Sequence, residues 1–167
     1  MNVYLIGMMG AGKTETGRAL ARQTGMKFID LDEEIERCTR QTINGIFETQ
    51  GEPFFRAAER KLLNEASGKK EAVIAPGGGI VLDPDNIARM KATGTVLYLE
   101  TSFDVLWQRV REKRDRPLLK APDPKQTFLE LFETRRPLYE SASKARVMTD
   151  GFSPEAVARK IAELYLR

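Results

Sequence analysis

One short segment constrains this chain more than any other. Gly7-Met8-Met9-Gly10-Ala11-Gly12-Lys13-Thr14 fits the pattern G-x-x-x-x-G-K-[ST]. An apolar run, Val3-Tyr4-Leu5-Ile6, leads into it, and a helical pattern from Thr14 to Gln23 follows. The chemistry explains the residue types. Glycines let the backbone turn sharply and bring its N–H groups up to phosphate oxygens. A helix that starts after Gly12 points its positive end at the anion. Lys13 then reaches the β- and γ-phosphates, and the Thr14 hydroxyl coordinates Mg²⁺. A strand, this loop and a helix in that order predict an α/β fold that binds a nucleoside triphosphate.

The rest of the chain continues the alternation. Short apolar runs at Phe28-Ile29, Ala72–Ala75, Thr95–Leu99 and Arg146–Thr149 read as strands. Asp32–Cys38, Thr42–Gln50 and Pro53–Ala66 read as helices. Asp83-Pro84, Asp123-Pro124 and Ser153-Pro154 each place a capping residue before a proline at the first helical position. Thr101-x-x-Asp104 resembles a capping box at the start of a helix through Arg109. Strands separated by helices imply a parallel sheet with helices on both faces. The 167 residues suit one domain, with no repeat and no Ser/Gly-rich linker.

Composition removes several chemistries. The chain has no histidine and one cysteine, Cys38. Ser-His-Asp catalysis, a His base, a Cys-based zinc site and an internal disulfide are therefore excluded. Catalysis must rest on carboxylates, Lys, Arg, hydroxyls, backbone amides and a hard metal ion. No apolar run is long enough to span a membrane, and the lone cysteine suits a reducing compartment, so a cytoplasmic protein is expected. A net charge of +3 from 27 basic and 24 acidic residues does not by itself argue for nucleic acid. No N-K-x-D guanine motif occurs, which favours ATP, and the small size favours a small-molecule kinase.

Several residues at strand ends are candidates for the acceptor side. Ligands of open parallel sheets bind beyond the carboxyl ends of the strands. Asp30 and Asp32 follow the second strand; one could hold Mg²⁺ through water while the other orients a hydroxyl. Asp32 could equally be a helix N-cap. Arg56 and Arg135 can each supply a fork for a planar carboxylate or a surface ion pair. Gly77-Gly78-Gly79 permits close approach of a ligand to backbone, or forms a flexible turn. Between Arg109 and Lys120 stand six basic and two acidic residues without an aromatic among them. This stretch reads as a basic loop that closes over ATP, or as a solvated helix end.

Together these residues resemble the shikimate kinase family over nearly the whole chain. The shared motifs are Gly10-x-Gly12-Lys13-Thr14, Asp30-x-Asp32, Ile46-Phe47, Gly51-Glu52-x-x-Phe55-Arg56, Gly77-Gly78-Gly79, Arg116-Pro117-Leu118-Leu119 and Arg135-x-Pro137-Leu138-Tyr139. The resemblance implies a nucleoside-monophosphate-kinase-like fold with a five-stranded parallel sheet. It implies one kinase domain over 1–167, a substrate-binding helical region at about 32–62 and a lid at about 112–124. The implied reaction is phosphorylation of the 3-hydroxyl of shikimate by MgATP, in the route to aromatic amino acids. ATP would lie on Gly10, Ala11, Gly12, Lys13, Thr14 and Glu15, with Arg109 against the adenine and Arg116 as the lid arginine. Asp32 would hold the acceptor hydroxyl. Arg56 and Arg135 would clamp the shikimate carboxylate, with Gly77, Gly78 and Gly79 beside it. Thr14 and Asp30 would serve Mg²⁺, and Lys13, Asp32 and Arg116 would form the catalytic set.

The chain departs from the family pattern at two places. Arg40 stands where relatives often have Gly, and Phe152 stands near the adenine where some have Arg. The implied partners are ATP and shikimate alone, with neither nucleic acid nor membrane, for a monomer. Two rival readings remain at this stage. One is a P-loop kinase for another hydroxyl compound, such as gluconate or a nucleoside monophosphate. The other is a non-catalytic nucleotide- or RNA-binding module.

Overall fold

The structure, a computed structural model, describes residues 1–113 and 120–165. Five parallel strands form one sheet: β1 (Asn2–Ile6), β2 (Lys27–Asp30), β3 (Ala72–Ala75), β4 (Gly94–Glu100) and β5 (Ala145–Met148). Their spatial order is β2-β3-β1-β4-β5. Every residue of β1 and β3 is buried, which fits strands covered on both faces and explains their unbroken apolar runs.

The helices are α1 (Lys13–Thr24), α2 (Leu31–Thr39), α3 (Ile43–Thr49), α4 (Gly51–Ser67), α5 (Pro84–Thr93), α6 (Phe103–Arg111), α7 (Pro124–Ala142) and α8 (Pro154–Tyr165). A short 3₁₀ turn covers Ile80–Leu82. Helix α1 packs on α8, and α6 on α7. The main core runs through the sheet and includes the buried Tyr4, Tyr98, Phe128 and Tyr139. A second, smaller cluster of Ile35, Ile46 and Phe55 ties α2, α3 and α4 together, with Phe47 and Leu62 packed against it. It falls within the region expected at 32–62.

Local capping chemistry sets the helix starts. The carboxylates of Asp83 and Asp123 accept from the amides of Asp85 and Gln126, as the Asp-Pro pairs predict. The Ser153 hydroxyl accepts from the amide of Ala156. Thr101 corrects an expectation. The N-cap of α6 is Ser102, without a side-chain cap, and the Thr101 hydroxyl instead bonds to that of Thr149 at 2.6 Å. Both threonines are buried, so pairing across β4 and β5 outweighs a cap in water. Helix α7 runs through Pro137 to Ala142. Arg40 ends α2 in the left-handed region at φ 54, a conformation that suits Gly at a helix C-terminus.

The topology places the site. Strand β1 lies between β3 and β4, where the order of the strands reverses. The chain leaves β1 into the Gly7–Thr14 loop, and Asp30 pairs in register with Ala75 at the ends of β2 and β3. The carboxyl ends of three strands therefore deliver the glycine loop, the two aspartates and the triple glycine to one crevice.

Candidate active site

A cleft of about 1310 Å³ opens at this edge, lined by the loop Gly10–Thr14 and by Asp30, Asp32, Arg56, Gly77–Gly79, Arg109 and Arg135. Every described residue proposed from sequence for the site faces this one space. Arg116, together with the 114–119 part of the expected lid, lies outside the described residues.

The glycine loop is built to receive an anion. Gly10 and Gly12 sit at φ 87 and 83, which a side chain would strain. A Cβ on Gly7 would stand 2.9 Å from the Leu99 carbonyl oxygen, so the loop is pressed against the end of β4. Gly12 is the N-cap of α1 and brings no capping side chain. The first amides of α1 are thereby left to a ligand. Lys13 Nζ donates to the carbonyls of Gly7 at 2.8 Å and Met8 at 3.1 Å, which holds its charge across the loop. Arg109 Nη1 donates to the Gly10 carbonyl at 2.8 Å. The guanidinium therefore rests on the loop, and Phe152 and Pro154 also line the cleft.

Asp30, and not Asp32, caps α2. Its Oδ1 accepts from the amides of Asp32 at 3.0 Å and Glu33 at 3.3 Å. Its Oδ2 accepts from the Thr14 hydroxyl at 2.6 Å. One carboxylate thus joins the first turn of the phosphate-loop helix to the helix that carries Asp32. Capping by Asp30 releases Asp32 from that duty and leaves its side chain to the cleft. Thr14 and Asp30 offer two hard oxygen donors side by side, which suits Mg²⁺. Among the described residues no group of three or more His, Cys, Asp or Glu could hold a metal. A site this sparse fits an ion that keeps waters and takes substrate phosphates as its remaining ligands.

The triple glycine is explained by space rather than by flexibility. None of the three has a positive φ. A Cβ on Gly77 would stand 2.8 Å from Asp32 Oδ1 and 3.1 Å from Glu59 Oε1. One on Gly79 would collide with the Arg56 guanidinium, and one on Gly78 would touch Arg135 Nη1 at 3.4 Å. Four ionisable side chains line this segment, and at Gly77 and Gly79 a side chain would displace them, whereas Gly78 has room for ordinary contact.

Of the residues around it, Glu59 lay outside every motif, and Tyr139 stood in the Arg135–Tyr139 motif without an assigned role. Glu59 is buried, with its side chain 1% exposed, and accepts from Arg56 Nη1 at 2.8 Å. Burial pushes its carboxyl above the usual range; Arg56 opposes the rise and the charge of Asp32 adds to it. Burial also works against the Arg56 charge, but the carboxylates of Glu59 and Glu52 outweigh it and hold the guanidinium pKa above normal. The signal was periodicity: Glu59 stands three residues after Arg56 on α4, and Tyr139 four after Arg135 on α7. Among the described residues Glu59 Oε1 and Arg135 Nε are buried without a hydrogen-bond partner. Such atoms are costly unless a ligand satisfies them.

An anion cradle with its lysine, a hydroxyl–carboxylate pair for a hard cation and a pocket of two arginines and two carboxylates share one cleft. The fold and this arrangement define a P-loop phosphotransferase acting on a small anionic alcohol. A family model described as shikimate kinase matches residues 9–165. The shikimate kinase of Thermodesulfovibrio yellowstonii is 41% identical over 166 residues, covering 99% of this chain and 95% of the relative. The solved shikimate kinase of Acinetobacter baumannii, in complex with shikimate, superposes with a TM-score of 0.94 at 41% identity, covering 99% of this chain and 92% of that one. That of Bacteroides thetaiotaomicron gives 0.89 at 32% identity, covering 100% and 99%. The chain belongs to the shikimate kinase family.

Proposed function

We propose that this protein transfers the γ-phosphoryl group of MgATP to the 3-hydroxyl of shikimate, giving shikimate 3-phosphate on the way to chorismate. The observation that carries the reading is the union, in one cleft, of the Lys13 cradle with Asp32, Arg56 and Arg135. Shikimate is a carboxylate with three hydroxyls, and that pocket offers cations for the first and an acceptor for the second. Arg56 and Arg135 bind the carboxylate, with Gly77, Gly78 and Gly79 beneath it. Arg135 Nε gains the partner it lacks among the described residues.

Asp32 accepts a hydrogen bond from the 3-hydroxyl and aims its oxygen at the γ-phosphorus. The O–P bond to shikimate forms as the bond from phosphorus to the ADP oxygen breaks, and the hydroxyl proton leaves by way of Asp32. Phosphoryl transfer needs positioning and charge stabilisation more than strong base catalysis. Lys13 and the amides of Gly10–Glu15 hold the phosphates, and Arg116 brings a further cation from the lid. Thr14 and Asp30 would hold Mg²⁺, which would supply charge neutralisation to the transferring phosphate. Arg109, Phe152 and Pro154 form the adenine end. The chain acts as one kinase domain with a substrate-binding region at about 32–62 and a lid at about 112–124. It works as a cytoplasmic monomer with ATP and shikimate as its partners. Among the described residues no helix is long and apolar enough to cross a membrane.

The test is ADP release from MgATP with shikimate, quinate, gluconate and the common nucleoside monophosphates as acceptors. Strong stimulation by shikimate alone is expected. Turnover on another acceptor, with none on shikimate, would keep the cradle and discard the substrate.

A further inference from the structure

Tyr139 is fully buried, and its hydroxyl lies against Gly78, which lines the cleft. It donates to the Gly78 carbonyl at 2.6 Å, with Met8 Sδ at 3.7 Å. Its ring stacks on Tyr98 with centroids 5.2 Å apart, so the hydroxyl is rigidly held. Burial pushes the hydroxyl pKa above its usual value, and the proton is always there to donate.

The Gly78 carbonyl belongs to the central peptide of a turn. The Ile80 amide donates to the Gly77 carbonyl at 3.2 Å, closing residues 77–80. Gly79 sits at φ −89, ψ 3, the third-residue geometry of a type I turn. A glycine at that position opens a second choice. A type II turn has the same ends but needs positive φ there, which glycine adopts freely. The two differ by a flip of the peptide between Gly78 and Gly79. A trans peptide is planar, so its N–H and C=O point in opposite directions. With the carbonyl turned into the core toward Tyr139, the Gly79 N–H points away from the core. The flip would exchange the donor for the negative end of a carbonyl dipole, beside the place given to the substrate carboxylate.

We propose that Tyr139 is a positioning residue for the acceptor anion: its hydrogen bond to the Gly78 carbonyl selects the turn that presents the Gly79 amide to the carboxylate held by Arg56 and Arg135. This rests on the carboxylate placement given above. Arg135 and Tyr139 stand one helical turn apart on α7, so the same helix supplies a cation to the carboxylate and sets the amide beside it. Tyr139 also touches Met8, which ties the acceptor floor to the root of the phosphate loop.

The test is calorimetric binding of shikimate and of its neutral methyl ester to the full chain and to Tyr139→Phe, which keeps the ring and its stacking. Loss of one selecting hydrogen bond predicts about five- to tenfold weaker shikimate binding. Ester binding should change less than about twofold, since a neutral acceptor gains little from the amide. The KM for ATP should not move. Equal losses for acid and ester, or none for the acid, would overturn the role of Tyr139. Wild-type protein that fails to prefer the acid over the ester would instead overturn the carboxylate placement, and the role of Tyr139 with it. The wild-type Gly79 amide proton gives a readout independent of the variant's stability. It should move downfield on adding shikimate and stay in place with the ester; no movement with shikimate would refute the proposal.

Discussion

Replacing Glu59 by Gln should make the protein more stable and a poorer enzyme. The carboxylate is buried, its Oε1 lacks a partner among the described residues, and Asp32 lies across Gly77 from it. Its pKa is raised, which means the folded environment disfavours the charge it carries at neutral pH. Gln keeps the shape and an acceptor for Arg56 while removing that charge. Relief at the low end of buried-ion replacements is on the order of 1 kcal/mol. For a domain of this size that is about 2–4 °C in Tm. The sign depends on pH. A carboxyl whose folded pKa is raised weighs on stability above that pKa and ceases to do so as pH falls below the unfolded value near 4.5. The advantage of Glu59→Gln should therefore be full at pH 8 and shrink toward pH 5. Activity should move the other way. Arg56 loses its ion pair at 2.8 Å and keeps only a bond to a neutral acceptor, and its looser guanidinium should raise the KM for shikimate about tenfold, with the KM for ATP unchanged. Thermal unfolding across pH and steady-state kinetics check both halves. A variant less stable than wild type at pH 8, or a Tm difference that does not vary with pH, would refute the reasoning.

Three further outcomes are expected. Gly79→Ala drives a Cβ into the Arg56 guanidinium and should lower kcat/KM for shikimate at least tenfold, read from initial rates at fixed saturating ATP. Arg40→Gly relieves a left-handed residue at the end of α2 and should raise stability by about 0.5–1 kcal/mol in urea unfolding, with kinetics unchanged. Asp30→Ala removes the cap of α2 and should weaken nucleotide-free, metal-free shikimate binding about threefold or more by calorimetry, whereas Asp30→Ser, which can still cap, should keep it near wild type.

The order of elements was legible because buried strands read as apolar runs and because Asp-Pro and Ser-Pro pairs mark helix starts by local chemistry. The cap at α6 was misread at Thr101 because its partner, Thr149, is 48 residues away, and a pairing at that distance leaves no trace in a four-residue window. Asp30 and Asp32 were grouped at one sheet edge, but which of them caps α2 was not legible: only the turn from β2 into α2 decides which carboxylate meets the amides. The triple glycine was noticed as a place where a ligand could approach backbone, and its packing was not legible. Its constraint is the crowding of Asp32, Glu59, Arg56 and Arg135, side chains from three helices that meet only in the fold. Glu59 escaped, and the role of Tyr139 within its motif went unread, because a Glu or Tyr on an amphipathic helix is ordinary until burial and a partner make it costly.

The central claim is that the cradle and the acceptor pocket act on one molecule each and join them at one oxygen. The direct measurement is ³¹P–¹H correlation NMR of the products from the full chain with MgATP and shikimate. The account predicts a single phosphomonoester coupled to the proton at carbon 3, growing one-for-one with ADP and lost in Asp32→Asn and in Arg135→Ala. ADP formed with inorganic phosphate alone, or phosphate on another hydroxyl, would contradict it.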